Sequence, residues 1–301
     1  MMQTSSSRRQ FFSLSAAAVA SVGLAACSVA GTSEQAASQV KPVILVTSFG
    51  TSFGNSRHIT IGAIESDIRE AYPDWDVRRA FTSQIIIDHI EKDTGRHIDN
   101  LEEAMDKIVA DGVKKLVIQP THLMDGFEYT DIVNSLENYK DKFDACALGA
   151  PLLASEEDQV AVAEAVKGAM ERYEDGETAI CLMGHGTEAE SNSIYATMQK
   201  VFYKLGYNNY LMATVEAEPT FEDVAKAASA AGYKKAVLRP FMVVAGDHAN
   251  NDMADTEDPE SLASVMAAAG LEVTSVVEGL GQIEAIDEIY VSHVQDAMNT
   301  L

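Results

Sequence analysis

The chain has 301 residues, 47% of them hydrophobic and 23% charged, a balance that supports a buried core and excludes wholesale disorder. Its 46 acidic against 22 basic side chains give a formal charge of −24, which excludes a nucleic-acid footprint and an electrostatic grip on anionic membranes. The three cysteines, Cys27, Cys146 and Cys181, form no Cys-x-x-Cys pair, so neither a disulfide framework nor a thiolate zinc site is expected.

In chain order the first element is an address. Residues 5–12 read SSSRRQFF, followed by an apolar stretch from Leu14 to Ala26 and then Cys27. Arginines ahead of a short hydrophobic run describe a signal peptide, too short to remain as a membrane span. Arg8 and Arg9 with Phe11 and Phe12 resemble a twin-arginine export signal, and Leu24-Ala25-Ala26-Cys27 resembles a lipobox. The expectation is a signal over residues 1–27, lipidation of Cys27 and a polar linker over 28–41. The protein would then stand on the periplasmic or cell-surface side of the cytoplasmic membrane, touching it only through the lipid.

From Val43 onward, short apolar runs alternate with segments of helical period. Strands are expected at 43–48, 75–80, 114–120, 143–148, 178–183, 209–215, 235–240 and 271–276. Amphipathic helices are expected at 56–71, 100–111, 155–173, 191–204, 220–231 and 283–298. Such alternation predicts an α/β fold of two pseudo-symmetric lobes, 42–150 and 151–301, each a mostly parallel sheet flanked by helices. Ligands of open parallel sheets bind outside the carboxyl ends of the strands, so the site is expected in the cleft between the lobes.

The chain also resembles itself. Residues 111–129, DGVKKLVIQPTHLMDGFEY, align without gaps on 231–249, AGYKKAVLRPFMVVAGDHA. Val46 to Thr51, VTSFGT, likewise lines up with Leu182 to Thr187, LMGHGT. Pieces of strand plus loop recur in the same order, the mark of a duplication. In this register His185 stands where the first half has Phe49, and His248 where it has Glu128.

These strand-end loops carry the candidate chemistry. His185 lies in Gly184-His185-Gly186-Thr187, where flanking glycines permit a sharp turn and leave the imidazole open to a ligand. A histidine bonded into its own loop is the plainer alternative. His248 follows Asp247 and precedes Asn250, Asn251 and Asp252; imidazole with carboxylate suits first-row divalent metals, although helix capping accounts for some of these residues. Glu216 closes the strand 209–215 and is placed as ligand or proton acceptor. His122 and Glu128, in QPTHLMDGFEY, are the first-half counterparts of the His248 loop. His58, His89, His97 and His293 read as surface residues, and Cys146 and Cys181 as small buried hydrophobes. No phosphate-binding G-x-x-x-x-G-K-[ST] or G-x-G-x-x-G is present, so a nucleotide is not expected.

Taken together, ILVTSFGTS, QPTHLMDGFEY, GHGT, TVEAEP and RPFMVVAGDHANNDM resemble the anaerobic (CbiK-type) sirohydrochlorin cobaltochelatases, from about Val43 to the C-terminus. The resemblance implies the class II chelatase fold and ATP-independent insertion of a divalent metal into sirohydrochlorin or a related tetrapyrrole, as in cobalamin biosynthesis. It implies cobalt as the metal, with nickel and ferrous iron as alternatives, and no nucleotide. It assigns His185, Glu216 and His248 to the metal. Catalysis falls to His185, Glu128 and His248, and Phe49, Gly186, Thr187 and His122 join the substrate side. Ala217-Glu218 stands where the family often has a glycine-tyrosine pair. Sirohydrochlorin carries many carboxylates, so cations must face it despite the acidic surface; Arg57 and Arg239 are the candidates. The second reading is a surface-tethered protein that binds tetrapyrrole, heme or metal for uptake, without turnover. A bound heme and a homo-oligomer are left open.

Overall fold

The computed structural model describes residues 40–301. The signal, the lipobox with Cys27 and nearly all of the linker therefore lie outside the described residues. From Val40 the chain forms one compact unit.

Its first half runs β1 (Val43–Ser48), α1 (Gly54–Ile59), α2 (Ile61–Ala71), β2 (Asp76–Phe81), α3 (Gln84–Thr94), α4 (Leu101–Ala110), β3 (Lys115–Pro120), α5 (Phe127–Tyr139) and β4 (Ala145–Leu148). Its second half runs α6 (Glu156–Met170), β5 (Thr178–Gly184), α7 (Ser193–Lys204), β6 (Tyr210–Thr214), α8 (Phe221–Ala230), β7 (Lys235–Pro240), α9 (Leu262–Ala268), β8 (Glu272–Ser275) and α10 (Glu284–Met298). The strands make two four-stranded sheets of order β2-β1-β3-β4 and β6-β5-β7-β8, parallel throughout. Each strand of the second sheet thus takes the place of the strand four before it. The duplication read in the sequence is a duplication of topology.

Central strands covered by helices on both faces read as unbroken apolar runs, and β1 and β5 are buried at every residue. One face of each sheet meets a shared core. Ile44, Val46 and Val117 join Ile180, Leu182 and Val237 in a single cluster completed by α2, α6, α7 and α10. Each fully buried aliphatic side chain stabilises by about 1.5–3 kcal/mol. Helix α10 belongs to the second half by sequence but packs on α2 and β3 of the first. Tyr290 donates to the Thr121 carbonyl at 2.9 Å, and Tyr72 donates to that of Val291 at 2.9 Å. The two sheets are therefore fused by a common core. Their outer faces have separate ones, around Met105 and Ile108 in the first half and Met253 and Met266 in the second.

Three helices escape the sequence pattern. Helix α3 begins with three isoleucines in a row, which carries no clear period; Ile87 is buried while Ile85 is 70% exposed. Helix α5 buries only Ile132, and α9 is seven residues long. The helix expected over 56–71 is interrupted at Thr60, where φ is −117° and ψ −84°. There the Thr60 hydroxyl donates to the Ser56 carbonyl at 2.6 Å, the local bond that lets threonine compete with a helix.

One histidine departs from its surface reading. His58, His89 and His97 are exposed, but His293 is only 6% exposed and its ring bridges the Ala150 carbonyl and Asp158, each at 3.2 Å. It lies on the buried stripe of α10 with Ile286, Tyr290 and Ala297. Both described cysteines are free, and burial pushes the Cys181 thiol up to about 12. Among the described residues no helix is long and apolar enough to cross a membrane.

Candidate metal centre

His185 is the first residue after β5. Glycine precedes it because a Cβ at Gly184 would stand 2.1 Å from the Tyr195 ring. Glycine follows it because Gly186 has φ +87° and a Cβ there would press on the Ala217 amide at 2.9 Å. With that space free, the His185 carbonyl accepts from Glu216 N–H at 2.9 Å, zipping the loops after β5 and β6 together. The zipper brings Glu216 Oε2 to 3.7 Å from His185 Nδ1. Asn192 braces both loops, accepting from Thr187 N–H at 3.1 Å and donating to the Glu218 carbonyl at 3.2 Å. The Glu218–Pro219 peptide is cis.

His248 arrives from β7 and leans on the first half. Ala245 N–H donates to Ser56 Oγ at 3.1 Å, and a Cβ at Gly246 would meet Thr51 Oγ1 at 3.1 Å. The His248 ring then stands edge-on to that of His185, centroids 4.6 Å apart and planes at 88°. His185 Nδ1 donates to the Gly186 carbonyl at 2.8 Å, and His248 Nδ1 bonds Asp252 at 2.8 Å. Three loops of one sheet thus bring two imidazoles and a carboxylate together. Between 36% and 58% of each of the three side chains is exposed, which leaves the group open to solvent.

The arrangement is loose. Among the described residues only His97, Asp99 and Glu103 bring three ligand atoms within 4.8 Å of one another. Those residues already have other partners: Glu103 closes the capping box of α4, and Lys107 pairs with Asp99 at 2.5 Å. A set of imidazoles and a carboxylate is a donor chemistry that first-row divalent metals accept.

The facing loops of the first half are built differently. Phe49, one residue past β1, is half exposed, and Gly50 repeats the left-handed turn at φ +99° against the Phe81 ring. Arg57 donates to the Thr51 carbonyl at 2.7 Å. Burial, then the nearby Arg79 and Arg96, lower its pKa, and Arg79 is itself paired with Glu65 through two hydrogen bonds. Glu128 lies in the first turn of α5, where a carboxylate complements the helix dipole. A Cβ on neighbouring Gly126 would lie 3.8 Å from Glu128 Oε2 and 3.7 Å from Ser191 Oγ of the second half. Glu128 therefore stands beside the arm that follows Thr187. Both ring nitrogens of His122 are buried and without a partner among the described residues, and burial pushes its pKa down to about 4.

Arg239 does not serve as a cleft cation. It is 2% exposed, donates to the Gly279 carbonyl at 3.2 Å and contacts Met170 Sδ at 3.7 Å. Its groove, about 870 Å³ between α6 and α10, is lined by neither His185, Glu216 nor His248. Sequence reasoning overlooked Asn192 and gave Asp252 no role of its own. The spacing of Asp252 four residues after His248 was the available signal.

Solved structures of similar fold are chelatases. SirB from Bacillus subtilis with Fe3+ superposes with a TM-score of 0.59 at 14% identity, covering 87% of this chain and 97% of that one. SirB from Bacillus subtilis subspecies spizizenii in complex with cobalt gives 0.57 at 13%, covering 86% and 97%. The two-lobed chelatase fold is the class to which this architecture belongs. Within it, residues 42–299 match the family model described as cobalt chelatase (CbiK), and the chain belongs to that family. It is 34% identical over 260 residues to a sirohydrochlorin cobaltochelatase of Salmonella typhimurium, covering 86% of this chain and 97% of the relative. It is 30% identical over 264 residues to the sirohydrochlorin cobaltochelatase CbiKC of Nitratidesulfovibrio vulgaris, covering 87% and 92%.

Proposed function

We propose that this protein inserts a divalent metal, cobalt, into sirohydrochlorin without a nucleotide, outside the cytoplasmic membrane. The supporting observation is the perpendicular pair His185 and His248 beside Glu216, three partly exposed donors from the loops that follow three strands of one sheet. The Arg-rich leader ending at Cys27 supports export and a lipid tether.

In this reading the three donors take the aquated ion and present it to one face of the macrocycle. Two pyrrole N–H bonds break as metal–nitrogen bonds form, so two protons must leave. A histidine released from the ion accepts one, and Glu128, across the cleft, is placed for the other. Phe49 offers an apolar surface to the ring, and Gly186 and Thr187 shape the opposite rim. Arg57 is the cation offered to the substrate carboxylates on a surface otherwise acidic.

The test is anaerobic mixing of purified protein with sirohydrochlorin and cobalt(II), followed by the visible spectrum, beside a His185→Ala, His248→Ala double variant. Insertion is expected from the wild type and only background from the variant. Binding of the macrocycle without insertion above background by the wild type, with cobalt, nickel or ferrous iron, would replace this reading by tetrapyrrole binding for uptake.

A further inference from the structure

Asp252 carries a carboxylate that the fold itself does not consume. Its neighbours are absorbed locally: Asn250 donates to the Gly246 carbonyl at 2.6 Å, and Asn251 donates to Asp247 at 2.9 Å. Asp252 takes no part in a helix cap, and among the described residues its one side-chain hydrogen bond and one ion pair are with His248. It sits on a π-helical turn, Ala249–Met253, whose Ala249 and Met253 are fully buried. Single π turns recur at functional sites. Here the two buried anchors hold the carboxylate on a fixed ledge beside the ring.

We infer that Asp252 is the positioning residue of His248: by accepting Nδ1–H it fixes the tautomer and turns Nε2, with its lone pair, toward the metal. The inference rests on the reading of His248 as a metal ligand. An ionised carboxylate only accepts hydrogen bonds, so at 2.8 Å the proton lies on Nδ1. The same logic fixes His185, whose Nδ1 faces the Gly186 carbonyl at 2.8 Å. Both rings thus present Nε2, but they are held unequally. A neutral carbonyl orients His185, whereas a full negative charge orients His248 and strengthens its nitrogen as a donor. His248 is then the anchoring ligand of the pair and His185 the more readily released one.

The experiment uses the full protein and cobalt(II) alone as probe, its dissociation constant read by competition with a chromophoric chelator, with insertion kinetics alongside. Loss of an orienting carboxylate behind a ligating histidine costs about 10–100-fold in metal affinity or activity. Asp252→Ala should therefore weaken cobalt binding by that factor and raise KM for cobalt while leaving KM for sirohydrochlorin unchanged. Asp252→Glu should restore most of the affinity, which a purely structural role would not produce. Near-isosteric Asp252→Asn should fold as the wild type does and still bind cobalt less tightly. Adding Asp252→Ala to His248→Ala should cost nothing further, because the two residues act as one unit. A full additional loss in the double variant, or unchanged cobalt binding in Asp252→Ala, overturns the inference while leaving the metal centre in place. Unchanged cobalt binding in His248→Ala removes the metal centre itself, and the inference with it.

Discussion

The two halves share a topology and a turn but not a chemistry. After β1 the chain reads Phe49-Gly50-Thr51, and after β5 it reads His185-Gly186-Thr187. Both glycines are left-handed, at φ +99° and +87°. What each glycine makes room for differs. Gly50 admits the ring of Phe81, a core contact, whereas Gly186 admits the backbone of Glu216 and Ala217, a site contact. The same loop thus presents an aromatic side chain in one lobe and, in the proposed function, the metal-handling arm in the other. The duplicated fold supplies two equivalent sets of strand ends, and a few side chains decide which set does chemistry.

The sharpest way to break this comparison is to disable each side in turn. Replacing both His185 and His248 by Ala should reduce cobalt insertion to background, a loss of about two orders of magnitude or more. Replacing Phe49, which stands at the position of His185, should leave kcat nearly intact. Phe49→Ala instead removes apolar surface worth about 1–2 kcal/mol, roughly tenfold in KM for the macrocycle. Steady-state kinetics at varied sirohydrochlorin separates the two. Equal losses of kcat from both walls would show that the chemistry is not confined to the second lobe.

The paired glycines offer a finer cut. An alanine forced into the left-handed region costs about 1–2 kcal/mol before any clash is counted. Gly50→Ala and Gly186→Ala should therefore each lower Tm, Gly50→Ala the more because its Cβ would stand 2.5 Å from the buried Phe81 ring. Only Gly186→Ala should also weaken cobalt binding, because its Cβ would part the loops that bring His185 to Glu216. Thermal melts and cobalt titrations on the same two variants check this.

How far the sequence discloses these features follows from burial. The strands read within two residues of their observed limits because helices cover both faces of the central strands and leave runs such as Val43 to Val46 and Ala179 to Met183 wholly apolar. Helices α3 and α5 did not, since the one carries apolar residues off its buried stripe and the other buries a single side chain. The motif loops disclosed His185 and Glu216 because they stand one and two residues past β5 and β6, whereas His248, eight residues past β7, is marked by its oxygen-rich neighbours and by the family resemblance. Asp252 and Asn192 act through hydrogen bonds across turns, which no periodicity announces. Arg239 misled for the converse reason. It follows the conspicuous run KKAVL and precedes Pro240, yet its pleat position turns it with Val237 toward the shared core.

The seam that joins the lobes yields smaller effects, read as stability against pH. Asp287 on α10 is 3% exposed, and its Oδ1 lacks a partner among the described residues. Burial, then Asp67 and Glu284, raises its pKa from 3.8 to about 8. The folded state then holds a proton that the unfolded chain gives up near pH 4, so this group loses stability as pH rises from about 4 to about 8 and none beyond. Asp287→Asn should raise Tm at pH 8, by an amount corresponding to about 1–3 kcal/mol, and change little at pH 4. An unchanged or lower Tm at pH 8 would show that the seam does not bear this strain.

His122 runs the other way and by less. Its pKa falls from 6.5 to about 4 with burial, so the folded state refuses a proton that the unfolded chain accepts, and stability is lost as pH drops through that window. Between about pH 4 and 6.5 the two groups therefore tilt the stability curve in opposite directions and partly hide each other. His122→Leu removes the acid-side loss and should expose the Asp287 slope undiluted, as a Tm that falls steadily from pH 4 to 8. In the Asp287→Asn background the same substitution should leave Tm nearly flat over that range. A melt series in the Asp287→Asn background that kept its acid-side decline after His122→Leu would assign that decline to another group.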